Sequence, residues 1–469
     1  MTYSAPRSDH SIASLTLPPG RDARHALKSD KKYLVLPGGG SGGAWVAGAM
    51  WVLLQEGFLD DIDAIVGTSA GAINGAAFAK DPTREGLLAL MEMWSSPQVA
   101  ALNNKPLAVS IAGREHGRRR RGRYLAKVLR GGGLDKQTFD DLQIKLLIGA
   151  TMCGPDQPAT LPASGTESAL RMLGMMQDHT RNVAFPRTDS SKEMVLPAVM
   201  ASAAQMIVFP RVTIDGEVFV DGGFTDNFGV SLALEDGATS ILLVDGSLAP
   251  PSLGLPDHKI GNTLDLLHAG QADTLLQRDL MLAQAANVPV ALFKLASPKE
   301  GFNTAYCNLM VLGGIRDLTI HMETGGREVP GVPHHSSKEA GLLIAEAIVG
   351  EGWARNVPES LRVMLLERIE PNHEKWPDIR EASKEALAEW ADSRNQLALR
   401  VRSRLPTVGR FNTDKGPRLP HPAITGVDPI TSPAEALAAK IRRWIPNATG
   451  LGGGASGRPP RGHGNPEVA

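Results

Sequence analysis

Cysteine is scarce in this sequence, whose 469 residues include only Cys153 and Cys307. Two cysteines exclude a small fold held together by several disulfides, and they fit a reducing compartment. Neither stands in a metal-binding or redox spacing. We therefore expect two inert thiols and predict no metal site.

The sequence also has no excess of charge of one sign. Its 49 Lys and Arg residues face 50 Asp and Glu residues, which gives a formal net charge of -1. This balance gives no reason to expect a nucleic acid partner. One basic run stands out, Gly117-Arg-Arg-Arg-Arg-Gly-Arg123. Such a run is usually a solvated surface, and the alternative is contact with an anionic lipid surface.

Long hydrophobic runs are missing as well. The most apolar stretch, residues 34–54, is broken by Pro37 and a glycine cluster, whereas a membrane-spanning helix needs about 20 mostly apolar residues. The first 30 residues contain no apolar core of a signal peptide. We expect a soluble, cytoplasmic protein with at most peripheral membrane contact. Delivery as an effector stays open, since such export needs no visible signal.

What is present is an alternation of apolar strands and helices. A strand at 32–36, a helix at 44–56, a second strand at 62–66 and a helix at 72–80 follow one another. This order predicts a three-layer α/β/α fold with a mainly parallel central sheet. Further predicted elements are strands at 142–152, 218–221, 241–245 and 290–295 and a short helix at 196–205.

Composition divides the chain into four predicted parts. Residues 1–30 are predicted to be a disordered arm, and 31–350 to be the α/β domain with a loop-rich segment at 154–180. Residues 351–445 are predicted to be a helical C-terminal extension, because charge and helical periodicity dominate around Trp376 and Trp390. The Gly/Pro-rich tail 446–469 is predicted to be disordered.

One candidate for chemistry is the G-x-S-x-G sequence formed by Gly67, Ser69 and Gly71. It lies where the second predicted strand passes into the next helix, and a tight strand-to-helix turn of this kind requires small residues on either side of the serine. The hydroxyl would sit at a helix N-terminus, whose partial positive charge favours developing negative charge.

A glycine-rich loop, residues 38–43, follows the first predicted strand. Its backbone N–H groups could stabilise an oxyanion. The loop also fits the G-x-G-x-x-G pattern of dinucleotide binding, which requires an acidic residue at the end of the second strand. Here that strand ends at Val66 and passes directly into the serine turn. A nucleotide-binding module is therefore the weaker hypothesis.

Asp221, followed by Gly222 and Gly223, ends another predicted strand. A carboxylate within hydrogen-bonding reach of Ser69 could take its proton directly. The alternative is an ordinary Asp-Gly turn. A triad with histidine is a further alternative, because Asp245 precedes His321, His334 and His335 in the order of α/β-hydrolases.

Taken together, the three motifs resemble those of the patatin-like phospholipases in type, order and spacing. Two further stretches add to the resemblance. Ala201-Ser-Ala-Ala-Gln-Met-Ile-Val-Phe-Pro210 is similar to the A-S-x-A-x-x-x-x-F-P stretch before the family's aspartate. Asp226-Asn-Phe-Gly-Val230 lies where the family usually has N-x-P followed by Val or Leu. The resemblance covers residues 31–245.

The resemblance implies hydrolysis of fatty-acyl esters, typically of phospholipids or galactolipids, without a metal or cofactor. It implies that Ser69 is the nucleophile and Asp221 the base. It also implies an oxyanion hole made by the amides of Gly39, Gly40, Ser41 and Gly42. The remaining motif positions are glycines at 38, 43, 67, 71, 222 and 223 (Gly38, Gly43, Gly67, Gly71, Gly222 and Gly223).

Two departures from the family pattern bear on function. Gly42 replaces the basic residue usual in the glycine-rich loop, which affects the expected rate and headgroup preference. Phe228-Gly229 occurs where proline is common, a difference that we interpret as structural. The Gly42 departure supports the alternative of a scaffold that binds lipid or a protein partner without turnover. The sequence leaves the oligomeric state open.

Overall fold

The computed structural model describes ten parts of the chain, which are residues 31–100, 102, 114–155, 181–187, 193–205, 208–247, 274–294, 307–324, 337–369 and 377–404. Several predicted features lie outside the described residues. These are the arm 1–30, residues 156–180 of the loop-rich segment, His334, His335, Trp376, residues 405–445 and the tail 446–469.

The described strands form one eight-stranded sheet with the order β5-β6-β3-β2-β1-β7-β8, in which β4 also pairs with β3. The strands are β1 (Lys32–Leu36), β2 (Ala64–Thr68), β3 (Lys145–Pro155), β4 (Arg181–Phe185), β5 (Val212–Ile214), β6 (Glu217–Asp221), β7 (Ser240–Asp245) and β8 (Val290–Lys294).

The centre of the sheet is parallel and one side of it is antiparallel. Strands β3, β2, β1, β7 and β8 run parallel to their neighbours. Strands β4 and β6 run antiparallel to β3, and β5 runs antiparallel to β6. The prediction of a mainly parallel sheet is confirmed. The observed β2 and β3 begin two to three residues later than predicted, and β2 continues through Gly67 and Thr68, which pair with Ile148 and Gly149.

A tight hairpin makes the antiparallel side. Asp215 and Gly216 connect β5 to β6 with φ values of 50° and 80°. Positive φ at both central residues matches the two-residue Asp-Gly turn that fits the twist of antiparallel strands. The hairpin reverses the chain so that β6 ends, at Asp221, opposite Ala150 of β3.

Helices cover both faces of the sheet. They are α1 (Gly42–Gln55), α2 (Ala70–Lys80), α3 (Arg84–Ser95), α4 (Pro97–Ala100), α5 (Arg114–Gly131), α6 (Val195–Ser202), α7 (Val230–Glu235), α8 (274–285), α9 (Cys307–Thr324), α10 (Ser337–Val349), α11 (Glu359–Ile369) and α12 (Pro377–Arg404). None of these described helices is both long and apolar enough to span a bilayer.

Alternate side chains of the central strands point to opposite faces of the sheet and pack in two separate apolar cores. Leu34 and Leu36 of β1 pack in the larger core with most of the helices. Tyr33 and Val35 pack in a smaller core with α7 and α8. Because side chains alternate between the faces of a strand and both faces are covered, β1 is apolar from Tyr33 to Leu36. The three-layer α/β/α prediction is confirmed.

The C-terminal helices share the larger core. Leu361 of α11 and Leu387 of α12 are each 2% exposed and belong to the same apolar cluster as Leu34. Helix α12 packs closely on α10, since a Cβ at Gly341 would lie 2.6 Å from the Cβ of Ala382. The described part of the predicted C-terminal extension is therefore helical and continuous with the core.

Candidate active site

Ser69 occupies the turn between β2 and α2. Its φ of 53° and ψ of −119° lie in a region that residues with a side chain rarely adopt. The flanking glycines make this turn sterically feasible. A Cβ at Gly71 would lie 1.8 Å from the carbonyl oxygen of Leu36, and one at Gly67 would lie 2.7 Å from that of Gly71. The serine side chain is thereby held at the carboxyl edge of the sheet.

Asp221 meets Ser69 at this edge. The Ser69 hydroxyl donates to Asp221 Oδ2 at 2.7 Å, and the Gly223 amide donates to Oδ1 at 2.9 Å. The sheet register brings the two side chains together, because Thr68 and Asp221 pair with adjacent residues on opposite sides of β3.

Between them lies Gly149, a residue to which the sequence analysis gave no role. A Cβ at Gly222 would lie 2.3 Å from the Gly149 carbonyl oxygen. A side chain at Gly149 itself would lie 3.1 Å from the Thr68 hydroxyl oxygen. A glycine inside a predicted strand is a signal of close backbone approach, and here it marks the place where Ser69 and Asp221 converge.

Burial controls the protonation of Asp221, which is 5% exposed. Desolvation raises its pKa to about 6, although the hydrogen bonds from Ser69 and Gly223 act in the opposite direction. At neutral pH the group is therefore mainly a carboxylate. A base with a pKa this close to neutrality can both accept and return a proton.

Ser202, at the end of α6, fixes the backbone of the serine turn. Its hydroxyl donates to the carbonyl oxygen of Gly149 at 2.6 Å and accepts from the amide of Ser69 at 2.8 Å. One buried hydroxyl thus donates one hydrogen bond and accepts another, and it links the backbones of Gly149 and Ser69. The sequence signal for this role was the Ala201-Ser202 stretch, which had been noted only as part of the family resemblance.

The glycine-rich loop closes on itself beside Ser69. Gly40 has a φ of 54°, and the amide of Gly42 donates to the carbonyl oxygen of Gly39 at 2.8 Å. The Gly43 amide likewise donates to Gly40 at 3.2 Å. Ser41 is buried directly before α1. Of the four residues predicted for the oxyanion hole, Gly42 therefore already uses its amide within the loop.

The structure leaves no room for a side chain at position 42, where the family usually has a basic residue. A Cβ at Gly42 would lie 1.9 Å from the carbonyl oxygen of Gly246, and one at Gly39 would lie 2.5 Å from the same atom. The chain after β7 thus occupies the space that a larger residue would need. Gly43 is similarly enclosed, because its Cβ would lie 2.8 Å from both Ala70 and Trp94.

Asn227 joins the glycine-rich loop to the segment after Asp221. Its side-chain amide donates to the carbonyl oxygen of Gly38 at 3.2 Å, while the Gly38 amide donates to the Asn227 carbonyl oxygen at 3.3 Å. Gly229, two residues on, has a φ of 69°, which proline cannot adopt. The departure from the family's proline accordingly has a conformational cause.

A buried acidic pair anchors this segment. Asp226 accepts from the Gly229 amide at 3.0 Å and from the Ser231 hydroxyl at 2.6 Å. Arg278 bridges Asp226 at 3.0 Å and Asp279 at 2.6 Å. Burial and the neighbouring Asp226 raise the pKa of Asp279 to about 6, against the effect of Arg278. These bonds hold the backbone that presents Asn227 to Gly38.

A cavity of about 690 Å³, partly open to solvent, lies next to Ser69, and Gly40 and Ser41 also border it. Its other walls are largely apolar and include Trp94, Leu102, Leu125, Val128, Leu129 and Phe209. Three of these residues belong to α5, the helix that contains the basic run.

The residues of the alternative triad have other neighbours. Asp245 accepts from the Ser247 amide at 2.7 Å and lies 3.7 Å from Lys294, while burial raises its pKa. His321 packs edge-on against the ring of Phe293, with centroids 5.8 Å apart. The structure thus pairs Ser69 with Asp221, and it places Asp245 and His321 in other contacts.

The fold and site define an α/β protein with a serine–aspartate pair at the carboxyl edge of its sheet. Residues 34–234 match the family model of the patatin-like phospholipases. This matched segment contains every element of the site from the glycine-rich loop to Asn227.

No curated protein matches the chain. Among solved structures, it is similar to VipD from Legionella pneumophila, at 12% identity over 80% of this chain and 86% of that chain, with a TM-score of 0.28. Human GIVD cytosolic phospholipase A2 is 12% identical over 80% and 68% of the chains, with a TM-score of 0.35. ExoU of Pseudomonas aeruginosa, in its complex with SpcU, is 16% identical over 80% and 78%, with a TM-score of 0.22.

Proposed function

We propose that this protein is a lipid acyl hydrolase that cleaves fatty-acyl esters, with Ser69 as nucleophile and Asp221 as base. The observation that carries the proposal is the 2.7 Å hydrogen bond between these residues beside an apolar pocket. The patatin-like phospholipase domain supports hydrolysis of lipids in general terms. The two side-chain roles, the oxyanion hole and the phospholipid substrate are our proposal.

Proton transfer to Asp221 begins the reaction. Oδ2 accepts the hydroxyl proton of Ser69 while Oγ attacks the ester carbonyl carbon. The Gly223 amide, which donates to Oδ1, holds the carboxylate in place during this step. Ser202 holds the amide of Ser69. The reacting atoms are thus positioned before the substrate binds.

The developing oxyanion needs N–H donors. We assign this role to the amides of Gly39 and Gly40, with Ser41 beside them at the pocket wall. Among the described residues, the amides of Gly39 and Gly40 donate to no backbone carbonyl, whereas the Gly42 amide donates to Gly39. Loss of one such donor in a serine hydrolase lowers kcat by about 10²–10³-fold.

The tetrahedral intermediate then collapses. The leaving alcohol takes the proton from Asp221, and the fatty acyl group stays on Ser69 as an ester. Water next gives a proton to Asp221 and attacks the acyl carbon. Asp221 then returns that proton to Ser69 Oγ as the bond between Oγ and the acyl carbon breaks, which releases the fatty acid and restores the serine. Side chains and backbone amides supply each step of this scheme.

The apolar pocket accounts for the acyl part of the substrate. Burial of each methylene contributes about 0.8 kcal/mol, so a chain seated against Leu102, Val128 and Phe209 would be favoured over a short polar ester. We therefore propose that the long acyl chain occupies this pocket, while the headgroup remains outside it.

Covalent labelling with a fluorophosphonate probe, read by intact mass, tests the proposal. We expect one adduct on the wild-type protein, none on Ser69→Ala and a strongly slowed reaction on Asp221→Asn. Ser393→Ala, which alters an exposed serine on α12, is the matched control and should label like the wild type. A labelled Ser69→Ala protein, or retained ester hydrolysis by it, would refute the assignment.

Labelling and calorimetry distinguish the two alternatives, a binding scaffold without turnover and a nucleotide-binding module. Absence of label on folded wild-type protein that still binds lipid would favour the scaffold without turnover, for which Gly42 is the motivating residue. The nucleotide-binding hypothesis for residues 38–43 predicts heat on calorimetric titration with NAD. We expect none, because the end of β2 leads into Ser69 and has no acidic residue there for a ribose.

A further inference from the structure

Helix α5 has two chemically different faces. Leu125 and Leu129 are buried on one face and form part of the pocket wall. The opposite face is exposed and contains Arg119, Arg120, Arg123, Lys127 and Arg130. Between residues 118 and 130 the sequence has seven basic residues and no acidic one. One helix thus joins the apolar pocket to a concentrated positive surface.

The direction of α5 places its arginines at the active-site edge of the sheet. Its C-terminal end lies near Lys80, whose ammonium donates to the carbonyl oxygen of Gly132 at 2.6 Å. Lys80 ends the 11-residue helix that starts after Ser69, and such a helix is about 16 Å long. The C-terminal end of α5 is therefore the end remote from Ser69.

The middle of α5 contacts residues 208–210, which begin at the edge of the pocket. The guanidinium of Arg121 donates to the carbonyl oxygen of Val208 at 2.8 Å, and Val208 lines the pocket. Gly122 packs on Pro210, where a Cβ would lie 2.8 Å from the proline ring. The exposed residues Arg119, Arg120 and Arg123 therefore flank the turn of α5 that contacts this segment.

We propose that this exposed basic face of α5, formed by Arg119, Arg120 and Arg123, docks on an anionic phospholipid surface. The inference rests on the proposed function, since docking at this edge would bring bilayer lipids to Ser69. A lipid surface fits better than nucleic acid, because the positive charge is concentrated on a helix that also lines an apolar pocket. The whole chain is nearly neutral.

Sedimentation with phosphatidylcholine vesicles, with and without phosphatidylserine, tests docking. The Ser69→Ala protein is used so that the vesicles are not hydrolysed. One variant adds Arg120→Gln and Arg123→Gln at the active-site end of α5. The matched control adds Lys127→Gln and Arg130→Gln, which remove the same charge with the same spacing at the remote end. Thermal unfolding checks that both variants are folded.

We expect Ser69→Ala to bind vesicles that contain phosphatidylserine and to bind pure phosphatidylcholine far more weakly. The Arg120/Arg123 variant should partition about 30-fold more weakly, which is about 1 kcal/mol for each basic residue near a lipid surface. The control should lose less affinity than the Arg120/Arg123 variant, because its two charges lie on average seven residues, about 10 Å, farther along the helix, and salt screens charges over that distance.

Equal losses in the two variants, or binding that does not depend on phosphatidylserine, would overturn the docking proposal. So would binding of single-stranded RNA that is lost in the Arg120/Arg123 variant when no vesicle binding occurs. Binding is measured here without turnover, whereas the function is tested by labelling in the absence of lipid. Either proposal can thus fail while the other stands.

Discussion

Asp221 holds a negative charge where water barely reaches it. Because burial raises its pKa to about 6 in the folded protein, the folded protein binds this proton more tightly than the unfolded chain does. The unfolding free energy therefore falls as pH rises from about 4 to about 6, and it stays lower above that range. The geometry of the site is maintained at the expense of stability at neutral pH.

We predict that Asp221→Asn is more stable than the wild type at about pH 8, by on the order of 2–3 kcal/mol. The asparagine keeps the shape of the side chain and removes the buried charge. Denaturant unfolding at several pH values measures the difference, which should shrink below about pH 5 because the wild-type group is then protonated.

Asp392→Asn is the control for this prediction, since Asp392 is exposed on α12. Its stability should match that of the wild type at each pH, as surface changes usually stay within about 0.5 kcal/mol. An Asp221→Asn protein that is less stable than the wild type at high pH would show that the hydrogen bonds from Ser69 and Gly223 outweigh desolvation.

At the residue scale, the motifs predicted that Ser69 and Asp221 would meet, and the structure has them 2.7 Å apart. The motifs could not reveal what holds these residues in place. The bond from the Ser69 amide to Ser202 spans 133 positions in the sequence, and the bond from Asn227 to Gly38 spans 189. Contacts of this range depend on the sheet register, which one sequence does not supply.

At the scale of elements, one face of α5 lines the pocket and the opposite face forms an exposed basic surface. Its apolar positions follow a helical spacing, yet the arginine run conceals the pattern in the sequence. The sequence therefore allows the basic run to be interpreted as a solvated surface or a lipid contact, but it does not show that the same helix lines the pocket. The packing of Leu125, Val128 and Leu129 in the pocket wall beside Ser69 connects the helix to the site.

The pocket wall gives a prediction about acyl-chain length. Val128 is half-buried and lines the cavity, so Val128→Trp should fill part of it. We expect hydrolysis of long-chain esters to fall by about 10–100-fold, in keeping with the 1–3 kcal/mol typical of pocket contacts. Short-chain esters should be affected far less. Comparison of kcat/KM over a series of p-nitrophenyl esters measures the effect.

Lys127→Trp is the matched control for the pocket, because Lys127 is the neighbouring residue and is exposed on α5. It should leave the chain-length preference unchanged. A Val128→Trp protein with the wild-type preference would show that the acyl chain does not occupy this cavity, and the pocket assignment would then be wrong.

Among the elements, long apolar runs were easiest to predict. The buried strands β7 and β8 and the helix after Ser69 are close to their predicted bounds. The antiparallel strands β4 and β5 were not predicted, since both are short and only partly buried. Asp215-Gly216 was the available signal for the β5–β6 hairpin.

At the scale of the whole molecule, the C-terminal helices and the sheet share one core. Leu387 is 2% exposed and belongs to the same cluster as the residues beneath β1. We predict that Leu387→Ala lowers the unfolding free energy by about 2–5 kcal/mol. Fluorophosphonate labelling of Ser69 should be lost at the same denaturant concentration as helical circular dichroism.

Leu342→Ala makes the same substitution on α10, where Leu342 is 51% exposed, and it should change stability by less than about 0.5 kcal/mol. Labelling that survives after the helical signal of a Leu387→Ala protein is lost would contradict a shared core. The sequence-based boundary at residue 350 would then describe two units that unfold separately.

The bond between Ser69 and Asp221 also has a consequence for the newborn chain, because it joins residues 152 positions apart. At about 5–20 residues per second, ribosomal synthesis separates the two residues by roughly 8–30 s. In the proposed mechanism the serine has no base until β6 has paired with β3. On that mechanism, a nascent chain becomes competent to hydrolyse an ester only after Asp221 has been synthesised and has folded against Ser69.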